Sequence, residues 1–258
     1  MPKGNYYKIN DILCRICVKR YKLNLFFMRF YFPILTLFVF FGAFAQEEVV
    51  EKKAVVDSLY REDQFYLNFT YNKLQNLKGL RQNKFSSGFS IGFLRDMPIN
   101  KNRTFAVAVG LGYSLNILND NLYISKPYGG ETYNYQFISS DVYYDKNKLS
   151  LHYIDLPIEF RWRASTPESH IFWRIYTGFK MSYLVGDRYK FANDIQTVIY
   201  KGNTDFNKLQ YGCYLAAGWN TWNFYAYYGL SPIFKSAVIN GESTKMNTFN
   251  IGLQFYIL

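Results

Sequence analysis

Phe105-Ala106-Val107-Ala108-Val109-Gly110-Leu111-Gly112-Tyr113-Ser114 is the stretch on which the fold turns. Phe105, Val107, Val109, Leu111 and Tyr113 form one series; Ala106, Ala108, Gly110, Gly112 and Ser114 form the other. Successive side chains of a strand point to opposite faces, so this is a strand with one bulky apolar face and one small face. A membrane barrel strand needs that division, with bulk toward lipid and a lean face toward a narrow interior.

Working outward, the same alternation recurs in segments of about ten residues. Upstream, Phe65, Leu67, Phe69 and Tyr71 alternate with Tyr66, Asn68 and Thr70, and Phe89, Ile91 and Phe93 with Gly88, Ser90 and Gly92. Downstream, a fourth segment at 149–163 sets Ile154, Leu156, Ile158, Phe160 and Trp162 against Asp155, Pro157, Glu159, Arg161 and Arg163. A fifth at 170–184 sets Trp173, Ile175, Phe179, Met181 and Tyr183 against Arg174, Gly178, Lys180 and Ser182. The sixth (209–219) and seventh (222–230) are joined by Asn220-Thr221, the spacing of a two-residue hairpin. The eighth sends Phe249, Ile251, Leu253, Phe255 and Ile257 outward and Asn250, Gly252, Gln254 and Tyr256 inward.

Between these segments long connections (73–84, 116–148, 185–208, 231–246) alternate with short ones, as expected when external loops are long and periplasmic turns short. A soluble sandwich or lipocalin-like barrel points its apolar faces inward and needs bulk on the packed side. Here the opposite face is Gly, Ala, Ser and charge over much of segments two, three, four and six. The expectation is an all-β, transmembrane, antiparallel up-and-down barrel of about eight strands. It lies in the outer membrane with its N-terminus in the periplasm. Composition agrees: aromatic residues are 21% of the 258, with 25 Tyr and 24 Phe, and amphipathic rings suit the boundary between headgroups and hydrocarbon.

The one continuous apolar run, 30–45, follows Arg29 and ends in Ala43-Phe44-Ala45. A positive start, a short apolar core and small residues before a cut at Gln46 make a secretory signal; the run is short for a spanning helix and contains Pro33 and Gly42. Residues 1–45 are therefore expected to be leader and signal peptide, with Met28 the candidate true start, 46–64 a charged periplasmic lead-in, and 65–258 the barrel. Net charge is +11 overall, but residues 1–45 hold seven Lys/Arg and one Asp, leaving 23 basic against 18 acidic residues, +5, after them. That modest surplus does not describe a nucleic-acid surface. Cys14-x-x-Cys17 lacks the second pair a metal would want or a thioredoxin-like setting, and leaves with the signal; Cys213 then stands alone.

Leu151-His152-Tyr153-Ile154-Asp155-Leu156-Pro157-Ile158-Glu159-Phe160, the order of segments and the aromatic closing strand resemble the PorT-type outer-membrane β-barrel family, over roughly residues 65–258. Tyr153–Glu159 is the most specific part. The resemblance implies an outer-membrane barrel and, because the family's founding member is associated with type IX protein secretion, a link to secretion. The last strand also resembles the signal read by the barrel-assembly machinery, with Asn250, Gly252, Phe255 and Ile257 as its candidate residues, although it ends on Leu258 rather than Phe.

For chemistry, Asp155, Glu159, Arg161, Arg163, Arg174 and Lys180 all fall on the inward phase. If the hairpin is symmetric about Thr166 and Pro167, Glu159 faces Arg174 and the two pair across strands. Eight strands leave an interior just wide enough for side chains, so mutual neutralisation in a plugged lumen is expected over transport. Pro157 is expected to interrupt the ladder and mark a bulge or kink. Of the two histidines, His170 falls at an internal turn and His152 on the lipid-facing phase near the external rim; Asp141, Asp145 and Asp187 lie in external loops without a convincing His or Ser partner. No zinc-ligand pattern or phosphate loop is present, so no metal, cofactor or enzyme activity is expected. Tyr123, Tyr128, Tyr133, Tyr135, Tyr143 and Tyr144 crowd the longest loop; they either form a binding surface or fold into strand extensions. The expected role is a non-enzymatic structural or accessory component. The alternatives are a small porin or ligand-binding barrel and, behind it, an outer-membrane hydrolase. Expected partners are outer-membrane lipid, the barrel-assembly machinery and secretion-system proteins, with no nucleic acid.

Overall fold

The computed structural model describes residues 63–257 except 77–78, 83, 128, 131, 165–172, 240–241 and 244. The expected signal peptide and most of the lead-in, His170, Tyr128 and Leu258 lie outside the described residues. The strands are β1 (Gln64–Gln75), β2 (Ser87–Pro98), β3 (Phe105–Leu118), β4 (Leu122–Ser125), β5 (Asn134–Phe137), β6 (Lys146–Arg163), β7 (Trp173–Ala192), β8 (Thr197–Lys201), β9 (Leu209–Trp219), β10 (Trp222–Gly229), β11 (Val238–Ile239), β12 (Glu242–Ser243) and β13 (Asn247–Ile257).

Eight of them close a ring in the order β1-β2-β3-β6-β7-β9-β10-β13, every neighbour antiparallel, with β13 returning to β1 from Phe65↔Ile257 to Gln75↔Asn247. Closure leaves no unpaired edge, which lipid demands because it cannot hydrogen-bond a free backbone. The alternating phases hold as read from the sequence: Phe65, Phe69, Ile91, Leu111, Ile158, Ile175 and Ile251 are exposed, while Tyr66, Asn68, Ser90, Ala108, Glu159 and Asn250 are buried.

The outward face is ordered by depth. All four Trp of the chain, Trp162, Trp173, Trp219 and Trp222, lie outward at the end where β6 gives way to β7 and β9 to β10. Trp173 and Trp219 meet edge to face at 5.2 Å, and Trp222 meets Phe255 at 4.7 Å. Outward tyrosines, Tyr71, Tyr113, Tyr183, Tyr211 and Tyr228, sit toward the opposite, loop end. Trp173 and Tyr183 are separated by about 34 Å of strand, or about 26 Å of depth at a tilt of about 40°. That matches the roughly 25 Å apolar band between two aromatic girdles of an outer-membrane barrel.

At the loop end β6 and β7 run past this band and their polarity inverts. On β6, Leu149, Leu151 and Tyr153 face inward above the level where Ile154, Leu156 and Ile158 face out. On β7 a bulge makes the switch: His152 pairs with Gly186 and Tyr153 with Leu184, leaving Val185 unpaired. Even-numbered residues from Arg174 to Leu184 point in below it, and Tyr189 and Phe191 point in above it. Pro157 does interrupt a ladder, as expected, but the bulge lies at Val185 and not at Pro157. Pro157 keeps its register with Lys180; only the β3 pairing lapses, at Gly110–Leu111 against Leu156–Pro157, and resumes unshifted.

Candidate functional site

The inward charges converge on one wall. Arg163 grips Asp96 with both guanidinium arms, Nη1 to Oδ1 and Nη2 to Oδ2, each 3.0 Å. Arg161 donates Nη1 to Asp96 Oδ1 at 2.9 Å and Nε to Glu159 Oε2 at 2.8 Å. The other oxygen of Glu159 accepts the hydroxyls of Tyr214 and Tyr256, both at 2.9 Å. Nearer the loop end, Lys180 pairs with Asp155 at 3.4 Å, Ser182 donates to Asp155 at 2.6 Å, and the ammonium lies 4.6 Å from the Tyr227 ring. The guanidinium of Arg174 faces the rings of Tyr256 and Tyr176 at 5.5 and 5.8 Å.

All six inward charges read from the sequence thus meet in the interior, but not as expected in one respect. Glu159 is opposite Gly178, and Arg174 is opposite Arg163, so the hairpin centre lies two residues further along than assumed. Glu159 is satisfied instead by Arg161 on its own strand and by two tyrosines. Asp96, the acid that two arginines share, was missed. Its signal was present: the phase of β2 continues through Leu94 inward and Arg95 outward to Asp96 inward.

Opposite the charged wall stand Tyr66, Tyr214, Tyr225, Tyr227 and Tyr256. Three of them fit because a neighbouring strand has no side chain: a Cβ on Gly112 or Gly92 would meet Tyr66, on Gly178 Tyr214, and on Gly212 Tyr227. Between the walls remains a cavity of about 10 Å³, lined by Tyr66, Asp155, Glu159, Lys180, Tyr214 and Tyr225 among others. That is room for about one water.

The loop end is closed by a second core, which sequence reading did not foresee. Leu122, Ile124 and Tyr135 of the β4–β5 hairpin, Phe206, Ile233, Phe234 and Ile239 pack on the inward Leu149, Leu151, Tyr189 and Phe191. Phe206 stacks on Phe234 at 4.8 Å and Tyr123 meets Phe191 edge on at the same distance. Tyr135 donates to Asp205 at 2.9 Å and accepts from Asn203 at 2.8 Å. Burial pushes the Asp120 carboxyl up to about 6, against the Leu122 N–H that it accepts at 3.1 Å.

The loop tyrosines divide between the two roles. Tyr123, Tyr133 and Tyr135 belong to the cap core or pack against it, Tyr143 is exposed and lines an open cleft of about 560 Å³, and Tyr144 does both, lining the cleft while packing on Phe191 at 5.9 Å. Arg81, Lys84, Asn121, Ser139 and Asp141 line the same cleft. Asp187 is not in a loop: it belongs to β7, and its carboxylate accepts the backbone N–H groups of Gly202 and Asn203 at 3.1 Å each. His152 shares a 2.6 Å hydrogen bond with the Tyr113 hydroxyl on the outer face at the rim. In the closing strand, Asn250 points inward, Gly252 admits the β1 backbone at Phe69 and Thr70, Phe255 is half-buried and Ile257 is exposed.

A family model described as an outer membrane protein beta-barrel domain matches residues 44–235. No curated protein matches the chain. Among solved structures, the crystal structure of Ail, the attachment invasion locus protein of Yersinia pestis, is similar at 12% identity and a TM-score of 0.39, covering 77% of this chain and 100% of that one. Ail in complex with the heparin analogue sucrose octasulfate is similar at 12% identity and 0.38, with the same coverage.

Proposed function

Because the chain belongs to the family of outer membrane protein β-barrel domains, we propose that it is a sealed, non-conducting anchor that holds a folded cap at the membrane surface, acting as a structural or accessory component. The observation that carries this reading is the filled interior. Ion pairs and tyrosines line a cavity of only about 10 Å³ between the walls, and the cap core closes the loop end above it. A pore needs a continuous wet path, which the filled interior speaks against; among the described residues no catalytic constellation accompanies His152, which speaks against the hydrolase. The short turns sit in the periplasm with the N-terminus, and the cap faces outward, the arrangement that loop lengths favour. Residues 1–45 direct export and 46–64 lead into the barrel.

The cleft beside Tyr143 and Tyr144 is the contact surface of this reading. Its 560 Å³ is within the range of small-ligand sites, yet its openness and mixed Arg, Lys, Asp and Tyr lining suit a protein or glycan surface as well. A role beside type IX secretion is the finer form of the proposal and rests on the PorT-type resemblance of Tyr153–Glu159. The test has two arms. The protein folded into planar bilayers is expected to give no stepwise conductance, and a steady single-channel current overturns the sealed anchor. Deletion of the gene, complemented by the chain begun at Met28, is expected to remove and restore exported proteins; an unchanged secretome overturns the secretion role and leaves the anchor standing.

A further inference from the structure

The outer face of the β6–β7 extension is basic. Lys146 and Lys148 on β6, Arg188 and Lys190 on β7, and Lys201 on β8 all project from it, outside the apolar cap core. In the ladder Lys148 is directly opposite Lys190 and Arg188 directly opposite Lys201. Like charges in facing positions oppose strand pairing. Among the described residues none of the five cations has a salt bridge; Asp187 is turned to the Gly202 and Asn203 amides, and Asp145 accepts from Tyr143. Lys146, Lys148, Ser150, Arg188 and Lys190 line an open trough of about 270 Å³.

Position selects the anion. On β6 the outward series reads Phe160, Ile158, Leu156, Ile154, then His152 against Tyr113, then Ser150, Lys148 and Lys146. The cations therefore follow on the same face, two outward positions beyond the apolar band, with Arg188, opposite Ser150, the nearest to it. Their long stems can lie back along the wall, so that the charged ends reach down to the headgroup layer. We propose that this face docks the phosphate-bearing headgroups of lipids in the leaflet at the loop end, and so holds anionic lipid against the β6–β7 wall. The proposal rests on the membrane span alone and is independent of what the cap contacts.

The test uses the full folded protein in phosphatidylcholine vesicles, with association of spin-labelled phosphatidylglycerol compared against spin-labelled phosphatidylcholine. The expected result is a severalfold preference for the anionic lipid, lost in Lys148→Gln/Arg188→Gln/Lys190→Gln, at up to about fivefold per neutralised cation. Wild-type protein in high salt loses the preference too, a readout that needs no variant. Equal association of the two lipids with the wild-type chain overturns the proposal. So does a preference that inorganic phosphate at millimolar concentration abolishes at constant ionic strength, because the trough would then be a small-anion site.

Discussion

Replacing Asp96 with Asn tests whether the charged wall stabilises the barrel or is merely tolerated. Asp96 sits fully buried between Arg161 and Arg163, and the Asn keeps the shape and one acceptor oxygen. What it loses is the charge and one arm of the bidentate pair. Hydrogen bonds to charged groups are worth about 1.5–3 kcal/mol each, and removing one partner of a buried pair costs about 3–5 kcal/mol. Three acids against four bases in the interior become two against four. The expected loss is therefore about 3–5 kcal/mol, at least a hundredfold in the folding equilibrium. It would be measured by guanidinium unfolding of the protein in phosphatidylcholine vesicles, followed by fluorescence of the four girdle tryptophans. Adding Arg163→Met should recover part of the loss, because the orphaned charge goes with it. Asp96→Asn within about 1 kcal/mol of the parent, or a double variant as unstable as the two singles summed, would refute the reasoning.

Two further outcomes follow from the same interior and from the cap. Gly178→Ala presses a methyl into the ring of Tyr214 and should cost about 1–3 kcal/mol; combined with Tyr214→Ala the loss should be well below additive, and full additivity in the same unfolding assay would separate the two sites. Asp120 has a folded value of about 6 against the usual 3.8, so its protonated form is favoured in the folded cap. Its contribution is full below about pH 4 and is lost as pH rises through about 6, leaving a cost on the order of 1–3 kcal/mol at pH 8. Hydrogen exchange at Leu122 and Ile138 should be faster at pH 8 than at pH 5 after correction for intrinsic rate, and Asp120→Asn should flatten that dependence; an unchanged profile in the variant counts against it.

The ring was legible because each lipid-facing strand carries its own alternation, and Phe105–Ser114 shows it without interruption. Registers were less so, since a hairpin centre two residues away moves Arg174 from Glu159 to Arg163. The candidate wall was found residue by residue except at Asp96, where the reading of β2 stopped at Phe93. The upper parts of β6 and β7 were read as loop and strand end because above the rim a strand obeys water, not lipid: Leu149 and Leu151 turn inward, Lys148 and Ser150 outward. A pattern tuned to outward bulk does not register that inversion. The cap core was illegible for a further reason. Phe206, the adjacent Ile233 and Phe234, and Tyr135 come from three separate places in the chain and acquire partners only once the barrel has brought the loops together.

The seam between β1 and β13 joins the first described strand to the last. Every other neighbour in the ring follows in chain order, and the three pairs that are not consecutive in number, β3 with β6, β7 with β9 and β10 with β13, skip only short strands. All the hairpins can therefore form as the chain emerges, yet none can be stable in hydrocarbon alone, because two bare edges persist until β13 arrives. Closure also carries the largest loop entropy of any pairing in the molecule. Membrane insertion is thus all or nothing in β13: a product lacking that eleven-residue strand would not be a weaker barrel but an open sheet, whose bare β1 and β10 edges hydrocarbon cannot satisfy.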